Sequence, residues 1–208
     1  FVAFDGKMAR GIHLHQVADS GSMRADYNIS ALDINDSITI ETINFSANGN
    51  GDNLRSILTW NPATSNESKI EWNTKIESDS RFLFTLEPSY FAIKSHQWII
   101  EKEASILIDS TIVDVKGLKL MNGYQYIVAN GRVSKNDEDK LNFELNEVNL
   151  NHIAEMLGLN VNVVGKLNGW GYITNPYENM TYMGDLNVKG LAIDNEEVGD
   201  VYLMSQWD

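Results

Sequence analysis

The sequence predicts a mainly β chain, an extended scaffold of short strands with one short α-helix. Two observations carry this prediction. An eight-residue segment recurs along the chain, and short runs of alternating apolar and polar residues fill most of the rest. Alternation with a period of two is typical of a strand that buries one face and exposes the other. A repeated strand unit serves a structural role, so it favours an extended scaffold over an enzyme with a single pocket.

The recurring segment spans residues 113–120. It returns almost unchanged at residues 186–193 and more loosely at residues 38–45. In each copy the apolar residues take positions one, three, six and eight. The step of three reverses the side-chain phase, which predicts a bend or bulge at the glycine or at Thr42 in the middle of the segment. The copies lie about 75 residues apart, too far for one coil of a simple solenoid, so each unit contains several strands.

Strands are predicted wherever the alternation holds. They cover residues 27–29, 38–45, 57–60, 69–76, 82–86, 98–100, 106–108, 113–120, 124–133, 141–145, 161–173, 186–193 and 201–207. Turns are predicted at Asn-Gly pairs, among them Asn122-Gly123 and Asn130-Gly131. We expect a single fragment of a longer β-repeat body, residues 1–208, with a seam near residues 61–69, because the longest polar run lies there.

One segment does not follow the alternating pattern of a strand. At residues 149–157, Ile153, Met156 and Leu157 share a helical face. An asparagine precedes this face as a potential N-cap, and Gly158 follows it as C′. The sequence therefore predicts a short helix among strands, acting as a plug, a cap or a crossover.

Charge and composition exclude several classes of function. The net charge of −13 disfavours nucleic acid as a partner. The absence of Cys excludes a thiol nucleophile and a disulfide framework. We expect no enzyme and no cofactor, because no nucleophile elbow or phosphate-binding loop is present. His13 and His15 share a strand face as some zinc ligands do, but no third ligand has diagnostic spacing, so we expect no metal site.

The C-terminal two thirds of the chain resembles a known family. From residue 141 to Trp207 the order is amphipathic strand, short helix, glycine-spaced strand, Asn-Pro loop, the Lys-Gly-Leu strand pair and a closing strand. Tyr90-Phe91-Ala92-Ile93, Gln97-Trp98, residues 105–109 and Ala129-Asn130-Gly131 add to the likeness. This pattern is similar to the interior repeats of TamB, the translocation and assembly module subunit of the AsmA-like group, in its Bacteroidetes form. Residues 1–80 fit it only as generic β structure.

The resemblance implies a β-taco, a curved sheet folded into a half-pipe that is apolar inside and polar outside. It also implies a place in the periplasm, as part of a protein anchored in the inner membrane whose other segments meet an Omp85-type outer-membrane partner. The implied activity is lipid transport and outer-membrane assembly, with phospholipid or another acyl-chain ligand as cargo.

Alternating strands whose apolar face meets no second amphipathic layer would leave a trough that an acyl chain could fill. The lining residues of this lipid groove are expected to be the apolar residues of the repeats and of the flanking strands. They are Ile38, Ile40, Ile43, Phe45, Val113, Val115, Leu118, Leu120, Leu141, Phe143, Leu145, Val161, Val163, Leu186, Val188, Leu191 and Ile193. An uncovered trough would also favour dimerisation of the isolated fragment.

Two other interpretations remain open. The first is a surface or secreted β-sandwich or solenoid that binds glycans through Trp and Asn side chains. The second is a carbohydrate-active enzyme on a β-helix, which needs convergent carboxylates that the sequence does not display. The five Trp residues lie within or beside apolar strands, which favours packing over a sugar-binding platform.

Overall fold

One antiparallel sheet makes up nearly all of the structure, a computed structural model that describes residues 2–4, 7–35, 38–157, 159 and 161–207. Within these residues sixteen strands and one short helix form, which confirms the predicted mainly β half-pipe. The strands are β1 (Val2–Phe4), β2 (Lys7–Ala18), β3 (Ser22–Asn35), β4 (Ile38–Asn50), β5 (Asn53–Trp60), β6 (Ser68–Ser78), β7 (Arg81–Leu86), β8 (Ser89–Ile93), β9 (His96–Ile100), β10 (Ala104–Asp109), β11 (Ile112–Asn122), β12 (Gln125–Val133), β13 (Leu141–Asn149), β14 (Val163–Thr174), β15 (Thr181–Ile193) and β16 (Glu196–Trp207). The helix is α1 (Leu150–Met156).

The strands follow one another as a meander. Each long strand pairs with its neighbours in sequence, and β7–β8 and β9–β10 act as two kinked strands of one hairpin. β7 and then β8 pair with β6, the latter at Lys69↔Tyr90. In the same way β10 and β9 both pair with β11, the latter at Met121↔Ile99. The polar loop at residues 61–67 joins β5 and β6, which pair directly from Trp60↔Ser68 onward. The sheet is therefore continuous past the predicted seam.

The corners predicted from the repeat are present at Gly117 and Gly190, which have φ of 70° and 62°. The register shifts between Val115 and Leu118 in β11 and between Val188 and Leu191 in β15. The partner strand advances by two residues while the bulged strand advances by three, so apolar side chains stay on one face on both sides of the corner.

A corner also forms at Thr42, with φ of 50°, but no register shift accompanies it. Ile29 pairs with Ile43, and Leu32 pairs with Ile40. Both strands therefore step by three residues between apolar positions and bend together. The predicted bend is correct here, whereas no bulge lies at Thr42; the register of the β3–β4 pairing shifts only farther along, between Asp33 and Asn35.

A side chain on the following strand completes three bulged corners, at Gly117, at Gly190 and at Glu147, where the β13–β14 register also shifts. The backbone N–H groups at the bulges donate to Asx oxygens, which satisfies donors that the ladder leaves unpaired. The pairs are Gly117 N to Asn130 Oδ1 at 3.2 Å, Glu147 N to Asn168 Oδ1 at 2.8 Å and Gly190 N to Asp200 Oδ1 at 2.8 Å. Asn130-Gly131, predicted as a turn, is thus the interior of β12 opposite a corner. Asn122-Gly123 lies at the β11–β12 turn, as predicted.

The two faces of the sheet differ in polarity. We call the face that carries Leu118, Phe143 and Leu186 the inner face and the opposite one the outer face. Charged ladders run along the outer face. Glu71 pairs with Lys69 at 2.7 Å and with Arg55, and Asp114 accepts from Arg132 at 3.0 Å. These hydrogen bonds from Lys69 and Arg55 lower the pKa of Glu71, because they favour its charged form.

Helix α1 forms where predicted and lies at one end of the half-pipe. Asn149 is its N-cap, and the Asn149 side chain accepts from Asn151 N at 3.0 Å. The Asn149 N–H donates to Gln125 Oε1 at 2.7 Å, which fixes the helix start to the β11–β12 turn. Gly158, the predicted C′ residue, lies outside the described residues. We call this end, with α1, the tip of the β8–β9 hairpin and the β11–β12 turn, the helix end.

The molecule exposes far more surface than a compact protein. Its accessible surface is 12607 Å². A compact monomer of the same mass would expose about 9,700 Å². Within the described residues no second sheet packs on the first, and α1 is the only helix that contacts it. The chain therefore buries less of its surface than a compact fold of this mass would.

Candidate functional site

The inner face brings the predicted lining residues together. Cross-strand partners in an antiparallel sheet lie on the same face, so the register shows which side chains are neighbours. One inner-face row runs through Leu54, Thr74, Phe84, Ile106, Val115, Gly131, Leu141, Ile173 and Tyr182. A second row runs through Leu120, Ile127, Leu145, Gly169, Leu186 and Leu203. The apolar face is thus continuous over most of the sheet, and we call it the trough.

The seventeen predicted lining residues are mostly neither sealed nor fully exposed. Fourteen are half-buried, Val115 and Val188 are buried, and Ile193 is exposed. Val161 precedes β14 instead of lying within it, which corrects the predicted strand start. Half-buried apolar side chains on a continuous face keep part of their surface accessible to solvent. The trough lining is therefore partly open.

The glycine-spaced strand β14 forms a low part of the trough floor. Atoms of the Phe143 ring lie within 2.8 Å of the position that a Cβ on Gly171 would occupy, and Leu186 Cδ2 lies 2.8 Å from that position on Gly169. The glycines therefore let side chains of β13 and β15 lie flat against the β14 backbone. The close approach expected at these glycines is made by the protein's own side chains.

Aromatic residues of the N-terminal strands extend the trough. The Tyr27 and Phe45 rings stack with centroids 5.6 Å apart, and Phe45 and Trp72 lie 6.0 Å apart. Of these three, sequence analysis named only Phe45 as a lining residue. The alternation at residues 82–86 and 106–108 predicts strands but does not assign their apolar side to the trough. Local sequence shows the alternation within each strand, but it does not show the register that joins the strands into one face.

The helix end is closed, in contrast to the trough. Trp98 and Val148 are each 1% exposed, and Ile100 and Ala154 are also buried. His96, Trp98 and Ile100 alternate along β9, so they share a face, and His96 contacts α1. The helix covers this part of the inner face, whereas the β8–β9 hairpin belongs to the sheet itself.

Two histidines and a glutamate join α1 to the hairpin. His96 Nε2 lies 3.1 Å from Glu155 Oε2, and the His96 and His152 rings stack with centroids 3.6 Å apart. Burial, followed by the neighbouring His96, lowers the pKa of His152, because both disfavour its charged form. Stacked rings do not converge on one point, and no group of His, Cys, Asp or Glu in the described residues could hold a metal ion.

Three other candidate residues, His13, His15 and Trp170, lie on the outer face, away from the trough. His13 and His15 are exposed on the outer face of β2, paired in register with Asn28 and Asp26. Trp170 is 48% exposed on the outer face, which corrects the expectation that it packs inside. It lies opposite Glu144, whereas Trp98 is fully packed.

Comparison with known proteins gives no relative. No protein-family model, no curated protein and no solved structure matches the chain. Across the described residues, no helix has the length and apolar character needed to span a bilayer.

Proposed function

We propose that the chain is a non-enzymatic segment of an envelope-spanning lipid-transport and outer-membrane assembly protein of the TamB type. In this proposal it lies in the periplasm, belongs to a protein anchored in the inner membrane, and reaches an Omp85-type partner through other parts of that protein. Its role is to shield phospholipid acyl chains in the trough. The observation that carries the proposal is the continuous, partly exposed apolar inner face.

The open face needs an apolar occupant. Soluble proteins rarely leave contiguous apolar patches larger than a few hundred Å² uncovered, and those that do use them for binding. The cross-strand rows join such a patch across most of the strands, from Leu54 in β5 to Leu203 in β16. A flexible hydrocarbon chain fits a long, shallow surface without polar anchors better than a compact ligand does.

Burial of hydrocarbon alone supplies enough free energy. Each methylene removed from water contributes about 0.8 kcal/mol, so an acyl chain of about sixteen carbons gains on the order of 10 kcal/mol before ordering costs. An open edge lets a charged head group remain in water while the chain lies in the trough. The polar outer face, with its ladders at Glu71 and Asp114, faces solvent in this arrangement.

Photo-crosslinking in cells tests the proposal. A photoreactive amino acid at Phe143, Leu118 or Leu191 lies on the inner face, and each position has an outer-face counterpart one residue away. Glu144 and Lys119 are the matched controls, because they share the strand and the depth along the sheet but point to the opposite side. We expect lipid adducts from the inner-face positions and few from the controls.

Equal capture from the two faces would contradict the proposal, because membrane proximity alone would then explain the adducts. Capture of lipid by neither face, with the protein present at normal levels, would contradict it as well.

A further inference from the structure

A second concave surface lies on the outer face, on the other side of the sheet from the trough. It spans β12, β13 and β14 and is a shallow, open depression of about 640 Å³. The outer-face residues around it are Val128, Asn130, Asn142, Glu144, Asn146, Asn168 and Trp170. Its volume falls within the roughly 300–1,000 Å³ typical of small-molecule sites. We call it the outer cleft.

Trp170 gives the outer cleft an apolar platform. It stands directly opposite Glu144 in the β13–β14 pairing and is about half exposed, although a Trp ring is the most costly side chain to leave in water. The flanking outer-face residues Asn142 and Asn146 are two positions either side of Glu144 on β13. Successive outer-face side chains on a strand are about 6.8 Å apart, so these three polar groups form an evenly spaced row beside the ring.

Several polar atoms in this row have no partner among the described residues. Asn142 and Asn146 use their side-chain N–H groups on backbone carbonyls, and one Glu144 oxygen accepts from Tyr126 Oη at 2.6 Å. Among the described residues, no hydrogen bond engages Asn142 Oδ1, Asn146 Oδ1, the other Glu144 oxygen or Trp170 Nε1. The row thus presents acceptors, with an indole N–H donor beside them.

The chemistry of the outer cleft selects among ligand classes. A carboxylate at its centre and a net charge of −13 disfavour phosphates and nucleic acid. β13 and β14 are interior strands whose backbone groups are paired, so no peptide can add as a further strand. The amide and carboxylate row disfavours a lipid chain, because burial would leave these groups without partners.

A neutral sugar satisfies both parts of the surface. The C–H face of a pyranose ring packs against an aromatic plane, and its hydroxyl groups donate to carboxylate and amide oxygens. We propose that the outer cleft binds a neutral oligosaccharide, with one ring stacked on Trp170 and hydroxyl groups on Asn142, Glu144 and Asn146. The site lies on the opposite face from the trough, so it neither requires lipid binding nor competes with it.

Titration of the purified chain with cellotetraose, chitotetraose and maltotetraose tests this inference. Calorimetry measures affinity, and the indole N–H resonances of ¹⁵N-labelled protein report the site, with the buried Trp98 as an internal reference. We expect saturable binding of at least one probe at millimolar concentrations and a shift of the Trp170 resonance. Trp170→Ala should weaken binding at least about tenfold, as expected for a central aromatic contact. Asn142→Ala and Glu144→Gln should each weaken it less.

Tyr177→Ala is the matched control, because Tyr177 is exposed to a similar degree but lies outside the outer cleft. It should bind like the unmodified chain. The inference is overturned if none of the three probes binds saturably, or if Trp170→Ala binds as tightly as the unmodified chain. These results are distinct from the crosslinking outcome, which reports only on the inner face.

Discussion

The helix end and the trough use the same alternating strands but differ in what covers them. At the helix end, α1 covers the inner face, and Trp98 and Val148 are almost fully buried. Along the trough, residues such as Phe84 and Leu141 are only partly buried. The difference teaches that alternation decides which side chains share a face, whereas a second layer decides whether that face becomes a core. A helix of seven residues can cover only part of this sheet.

A charged substitution should distinguish the two regions most strongly, because its cost in folding stability depends on burial. Val148→Asp places a carboxylate in a sealed site, so we expect a loss of on the order of 5 kcal/mol in the free energy of unfolding, or failure to fold. Leu118→Asp lies in the open trough, where water can reach the charge, so it should fold with a loss of about 1 kcal/mol and bind lipid poorly. Urea unfolding followed by circular dichroism measures both. Similar losses for the two variants would mean that the trough is sealed.

Truncation of a tryptophan in each region sharpens the comparison. Trp98→Ala should lower the free energy of unfolding by about 3–5 kcal/mol, the range for a large buried side chain. Trp72→Ala should cost about half as much, because its inner-face ring is only half-buried. Trp98→Phe is the control for packing. It removes the same indole N–H, which has no partner among the described residues, but it keeps an aromatic ring in place. Equal costs for Trp98→Ala and Trp72→Ala would contradict the distinction.

Loosening α1 should affect the helix end alone. Asn149→Ala removes the N-cap, at a cost of about 1 kcal/mol. Hydrogen exchange should show faster exchange in α1 and β9, with unchanged protection in β4 and β5. Asn48→Ala, an exposed asparagine in β4, serves as the control and should leave α1 unaffected. Uniform loss of protection throughout the sheet would show that the two regions unfold as one unit.

Acidification should produce the smallest effect, again at the helix end. The folded state lowers the pKa of His152 below 6.5, so the unfolded chain binds more protons as the pH falls. The contribution of this neutral histidine is complete above about pH 6.5 and is lost as the pH falls through the folded-state pKa. The groups that act on His152 are His96, Glu155 and Lys166.

Exchange of α1 amides at about pH 7.5 and about pH 5 measures this loss. His152→Gln should reduce the difference between the two conditions, and His15→Gln, on the outer face of β2, should not. A difference that persists unchanged in His152→Gln would assign the effect to another group.

Much of the strand architecture follows from local sequence, and the corners show where such reasoning stops. The step of three at residues 113–120 and 186–193 correctly places bulges at Gly117 and Gly190. The same step occurs between Leu145 and Val148, where Glu147 forms a bulge that the repeat does not predict, because this segment is not a copy of it.

Other features depend on pairings that local patterns do not encode. The sequence places His13 and His15 on one strand face but does not set the bounds of that strand, and β2 forms as a long partner of β3. The contact between α1 and His96 joins residues far apart in sequence, so no local pattern marks it. Trp170 was assigned to packing from the apolar character of its strand, whereas its position opposite Glu144 places it outside.

Quenching by brominated lipid tests most directly whether the trough accepts acyl chains. Two single-Trp proteins, one retaining Trp72 on the inner face and one retaining Trp170 on the outer face, are mixed with phosphatidylcholine that carries bromine on its acyl chains. The account predicts strong, saturable quenching of Trp72 fluorescence and little quenching of Trp170, although Trp170 is the more exposed. Equal quenching of both, or none of Trp72, would contradict it.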